Sequence, residues 1–132
     1  MARPRSAEDV VEEILRRDRR YDRDAYAMVS QALTYTVEKK GKKGHVTGRE
    51  LCEGLRDLAL EQFGRLARAV LESWGIRSSG DIGEVVFNMV DAGLLRKTDE
   101  DRREDFAGVL DFDEAFDRGF RIQIVPPEAD EQ

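Results

Sequence analysis

Two cationic sets are the residues best placed to do chemistry. Lys39-Lys40-Gly41-Lys42-Lys43-Gly44, followed by His45, is a basic, glycine-rich stretch. Glycines let a backbone approach an anion, and lysines supply point charges for phosphate. It is not a Walker-type nucleotide loop, because no Lys-Ser or Lys-Thr follows the glycines and no strand clearly precedes them. The second set is Arg16, Arg17, Arg19, Arg20 and Arg23. The two sets flank one amphipathic segment, about 16 residues or roughly 24 Å of helix apart. That spacing fits backbone contacts along a polyanion, with Tyr21 able to stack on a base. It fits two contacts with an acidic protein surface equally well.

Other constellations have plainer explanations. Cys52 and His45 would be a thiolate–imidazole pair only if they met, but Cys52 follows Leu51 in an apolar stripe and suits the core. One cysteine and one histidine exclude an internal disulfide and an ordinary structural zinc site. Asp99, Glu100, Asp101, Glu104 and Asp105 lack the spacing and the glycine of a calcium loop, and Arg102 and Arg103 among them would oppose a cation. They read as a solvated turn. Asp111 and Glu114 read as helix caps rather than acid–base partners of Asp113 and Asp117. Trp74 is expected to anchor the core or, if exposed, to mark an interface. No catalytic, cofactor or metal set emerges, so the chain reads as non-enzymatic.

Composition bounds what the elements can build. At 132 residues the chain is long enough for one core. The expected arrangement is a single domain over residues 1–125 and an acidic, mobile tail over 126–132. No apolar run reaches the roughly 18 residues of a membrane span, and no apolar signal core follows Met1, so a cytoplasmic protein with no membrane partner is expected. The net charge of −6 conceals polarity: residues 16–49 hold ten basic and four acidic side chains, residues 50–132 ten basic and twenty acidic. Such asymmetry can steer partners or pair copies head to tail.

The elements follow from caps and periodicity. Ser6 with Asp9 opens a helix carrying Val10, Val11, Ile14 and Leu15. Asp22 caps a second, with Tyr26, Val29, Leu33 and Val37 on one stripe, closed at Gly41 or Gly44. Thr47-Gly48-Arg49-Glu50 is a capping box for a row running from Leu51 through Leu55, Leu58, Ala59, Phe63, Leu66 and Val70 to Trp74. A break or bend is expected near Gly64 and a stop at Gly75. Ile82, Val85, Val86, Met89 and Val90 mark another helix, stopped by Gly93. Residues 94–98 and 106–112 then suggest an antiparallel pair around a charged tip, and 120–124 a further half-buried strand.

Arg19-Arg20-Tyr21-Asp22 with Ala25-Tyr26, Gly44-His45-Val46-Thr47-Gly48-Arg49-Glu50-Leu51, Leu60-Glu61-Gln62-Phe63-Gly64, Ser73-Trp74-Gly75-Ile76-Arg77, Asp81-Ile82-Gly83-Glu84-Val85-Val86-Phe87-Asn88 and Glu104-Asp105-Phe106 carry a resemblance. Over residues 19–116 the chain resembles a family of small, uncharacterised bacterial hypothetical proteins. The resemblance implies no activity, cofactor or catalytic residue. The expected fold is mainly α, four to five helices with a winged-helix-like C-terminal half and a minor antiparallel β element. The helix in the recognition position carries Asp81, Glu84 and Asp91 and no lysine or arginine, which argues against insertion into a DNA groove. A protein–protein interaction or adaptor module is therefore the leading functional expectation. A nucleic-acid-associated protein binding through Arg16–Arg23 and Lys39–Arg49 is the alternative.

Overall fold

A computed structural model describes residues 6–40, 46–95 and 103–118. The first helix, α1 (Ala7–Arg17), starts on a closed capping box. Ser6 Oγ accepts the Asp9 amide at 3.1 Å, and the Asp9 carboxylate accepts the Ser6 amide at 3.2 Å. The Asp22 carboxylate accepts the Asp24 amide at 3.0 Å at the head of α2 (Arg23–Lys40). Thr47 and Glu50 cap α3 (Gly48–Phe63) reciprocally. A 3-10 turn over Gly64–Leu66 separates α3 from α4 (Ala67–Ser73), so the expected break at Gly64 is present. Helix α5 (Ser79–Asp91) follows Ser78, whose hydroxyl accepts the Asp81 amide.

These helices enclose one core. Ile14 of α1, Tyr26 and Val29 of α2, Leu55 of α3, Leu71 of α4 and Ile82 and Val85 of α5 are all buried. The α2–α3 crossing is close because a Cβ on Gly54 would stand 1.9 Å from Thr36 Oγ1. Thr36 is itself buried and donates to the Ala32 carbonyl at 2.7 Å. Leu66, expected on the long apolar row, is 62% exposed. The turn at Gly64 resets the helical phase, so Ala67 and Leu71 face inward in its place.

The C-terminal half departs from a winged helix. Among the described residues there is no strand, and 106–112 is not one. A 3-10 turn over Arg103–Phe106 leads through a further turn to a short, wide helical turn over Asp113–Arg118, capped by the Asp111 carboxylate. The physical reason lies in Ser79 and Phe106. Ser79 is buried; its hydroxyl donates to the Phe106 carbonyl at 2.5 Å and accepts the Val109 and Leu110 amides at 3.1 and 3.3 Å. Those backbone groups are thereby satisfied without a partner strand. Phe106 packs edge-on to Phe87, with centroids 6.1 Å apart, in a notch where a Cβ on Gly83 would come within 2.6 Å of Phe106 Cβ. Leu94 and Leu95 lie in the turn that closes α5, whereas the expected strand at 120–124, the tail at 126–132 and residues 96–98 of the expected hairpin lie outside the described residues.

Candidate functional site

The turn joining α1 to α2 and the link joining α4 to α5 meet face to face. The Asp22 amide donates to the Trp74 carbonyl at 3.0 Å. Gly75 lies so close to the turn that a Cβ there would stand 2.1 Å from the Arg20 carbonyl oxygen. Where the two segments meet is an open cleft of about 850 Å³, lined by Arg19, Arg20 and Arg23 from the first and by Trp74 and Arg77 from the second. Asp22, Asp24 and Glu72 also line it. Trp74 is half-buried, its indole edge-on to Phe63 with centroids 5.9 Å apart, and its other surface borders the cleft. It is thus both an inter-helix anchor and part of a surface.

The cationic residues differ in how free they are. Arg20 forms a fork to Asp18, with Nη2 at 2.8 Å and Nε at 3.0 Å, and reaches Glu84 of α5 at 3.1 Å. The hydrogen bond from Arg20 holds the Asp18 carboxyl well below the usual carboxylate range, and Asp18 in turn raises the guanidinium. Asn88 donates to Asp18 at 3.0 Å and to the Tyr26 hydroxyl at 3.1 Å. Tyr21 donates to Asp81 at 2.5 Å, and the Arg77 amide donates to the other Asp81 oxygen at 2.9 Å. Burial first, and then the Asp81 carboxylate, push the Tyr21 phenol upward. The acids of α5 that would repel DNA are thus partly spent on holding the α1–α2 turn. Arg23 is ion-paired with Glu12.

Arg16, Arg17, Arg19 and Arg77 are exposed and make no ion pair among the described residues. Arg16 and Arg17 end α1 and lie outside the cleft lining. At the far end of α2, Lys39 stands over the Tyr35 ring at 5.5 Å and pairs with Asp57 at 3.6 Å. Lys40 is the last residue of α2, whereas Lys42, Lys43 and His45 lie outside the described residues. The structure therefore gathers Arg19, Arg20, Arg23 and Trp74 at one cleft and leaves Lys39 at the opposite end of an 18-residue helix, about 25 Å away.

Sequence reasoning does not single out Arg77 as a site residue. Its signal is indirect: Gly75 turns the chain back two residues earlier, which sets Arg77 against the arginine-rich turn. Cys52 is buried, and burial pushes its thiol up to about 12, so it is protonated and inert at neutral pH. Among the described residues no helix is long and apolar enough to cross a membrane. No family model matches the chain, and neither a curated protein nor a solved structure is significantly similar to it.

Proposed function

We propose that this chain is a non-enzymatic protein–protein interaction or adaptor module, working in the cytoplasm and engaging its partner through the cleft between the α1–α2 turn and the α4–α5 link. The observation that carries this reading is the composition of the cleft: a half-exposed indole among guanidiniums and carboxylates. Aromatic and arginine side chains are the usual anchors of protein interfaces, and lining of both signs suits a folded or extended polypeptide. A nucleic-acid backbone presents one sign only and would meet Asp22, Asp24 and Glu72 together with the arginines. The non-enzymatic part of the reading rests on the inert Cys52 and on the capping duty of Asp111, which accepts the Asp113 and Glu114 amides.

The nucleic-acid reading keeps one observation in its favour: Arg16, Arg17 and Arg19 are exposed and make no ion pair among the described residues. Two measurements separate the readings. A partner captured from native extract on the immobilised chain, then purified and added back, should bind wild type and lose affinity for Trp74→Ala. Retention on heparin should be weak and unaffected by that substitution. Strong, steeply salt-dependent heparin retention, with no protein that rebinds in purified form, would reject the module reading.

A further inference from the structure

We infer that the occupant of the cleft is a short acidic segment of a partner protein, with carboxylates at alternate positions around an apolar side chain; this rests on the interaction-module reading above. Among the cleft arginines, two are already committed. Arg20 is held by Asp18 and Glu84 and fixes the turn to α5, and Arg23 is held by Glu12. Arg19 and Arg77 are left, one from each of the two segments that line the cleft, with no ion-pair partner among the described residues. Glu72 is already paired with Arg68 at 3.1 Å. Asp22 and Asp24 sit at the head of α2, where the positive end of the helix dipole offsets their charge, and Asp22 already accepts an amide. The charge left to be answered is therefore that of Arg19 and Arg77.

An extended segment meets that demand. Its side chains alternate and repeat on one side roughly every 7 Å, so two carboxylates can reach two separate guanidiniums while a side chain between them turns toward Trp74. A guanidinium–carboxylate pair is planar and two-pronged, and the flat indole offers apolar contact beside it. An open cleft of about 850 Å³ has room for a short peptide segment rather than a single ion.

Trp74 is the chain's one tryptophan, so its emission reports this cleft alone. The full chain is titrated with a capped Glu-Leu-Glu-Leu-Glu peptide, its Lys-Leu-Lys-Leu-Lys counterpart, and oligothymidylate of matched charge. The expected result is a saturable change in emission with the acidic peptide only. Affinity should fall about tenfold in Arg19→Gln and in Arg77→Gln, as for removal of one side of a charge pair, and stay within about twofold in Arg65→Gln. Arg19, Arg77 and Arg65 are all exposed, and circular dichroism verifies that each variant is folded. No saturable change with the acidic peptide, or equal sensitivity to Arg65→Gln, overturns the inference. Tighter, Arg77-dependent binding of oligothymidylate overturns it in favour of nucleic acid. A purified partner that binds wild type and both arginine variants alike overturns this inference while leaving the module reading standing.

Discussion

Gly75 and Gly93 provide a matched pair of substitutions that isolates the contact on which the cleft depends. Each closes a helix, with φ of +97° and +86° respectively. Their caps have the same hydrogen bonds: Gly75 and Ile76 donate to Glu72 and Leu71 at 3.0 and 2.9 Å, and Gly93 and Leu94 donate to Val90 and Met89 at 3.0 and 2.8 Å. An alanine at either position incurs the left-handed backbone cost of about 1–2 kcal/mol. At Gly93 no described residue stands within 4 Å of the new Cβ. At Gly75 the Cβ would lie 2.1 Å from the Arg20 carbonyl oxygen and 3.1 Å from the Tyr21 ring. The α1–α2 turn must then move off the α4–α5 link, adding about 1–3 kcal/mol of overpacking and about 1 kcal/mol for the Asp22–Trp74 backbone hydrogen bond. Gly93→Ala should therefore cost about 1–2 kcal/mol and Gly75→Ala about 3–6 kcal/mol. Urea denaturation followed by far-ultraviolet circular dichroism gives both values with their m-values. Equal losses in the two variants would refute the close approach of Arg20 to Gly75, and with it the geometry of the cleft.

Ser79→Ala should destabilise by about 2–3 kcal/mol, because the Phe106 carbonyl and the Val109 and Leu110 amides lose their partner; the same denaturation assay checks it, and a loss below about 0.5 kcal/mol would contradict the buried hydroxyl's role. The pH dependence has a definite sign at each end. The folded-state pKa of Asp18 is depressed, so its contribution to stability is present above about pH 4 and lost as the pH falls further. The Tyr21 pKa is raised, so its contribution is present below about pH 10 and lost as the pH climbs above that value. Acid and base denaturation in Asp18→Asn and Tyr21→Phe should each lose the corresponding limb. Cys52 should react with a small thiol reagent only on unfolding, and Cys52→Ala should cost about 1–2 kcal/mol; rapid labelling of the folded chain at neutral pH would show the thiol to be accessible.

The helix starts are legible in the sequence because a cap is a local event. Ser6 with Asp9, Thr47 with Glu50, and Asp111 need only residues within one turn of them. The stops at Gly75 and Gly93 are local in the same sense. The C-terminal half is less legible because its conformation is decided from outside. A short apolar stretch from Phe106 to Phe112 suits a strand until Ser79, about 30 residues away, takes its backbone groups and Gly83 and Gly48 open a notch for the Phe106 ring. Leu66 misleads for a related reason, since its place on the apolar row assumes an unbroken helical phase.

The arginine set is visible as a cluster, but its division into committed and uncommitted members is not. Arg20 finds Glu84 across 64 positions of chain, a pairing that no short-range pattern encodes. Arg77 reaches the site only through the reversal at Gly75. The acids on α5 read from the sequence as unsuited to a DNA groove, while their work in holding Tyr21 and Arg20 becomes visible only once α5 lies beside the α1–α2 turn.

Nuclear magnetic resonance mapping of the isotopically labelled chain with its purified partner tests the cleft as the binding surface most directly. Perturbations should centre on the amides of residues 19–24, the Trp74 indole N–H and Arg77, with little change at Lys39 and the far end of α2. Perturbations centred on Lys39 and its neighbours, with the Trp74 indole unmoved at saturation, would contradict binding through the cleft.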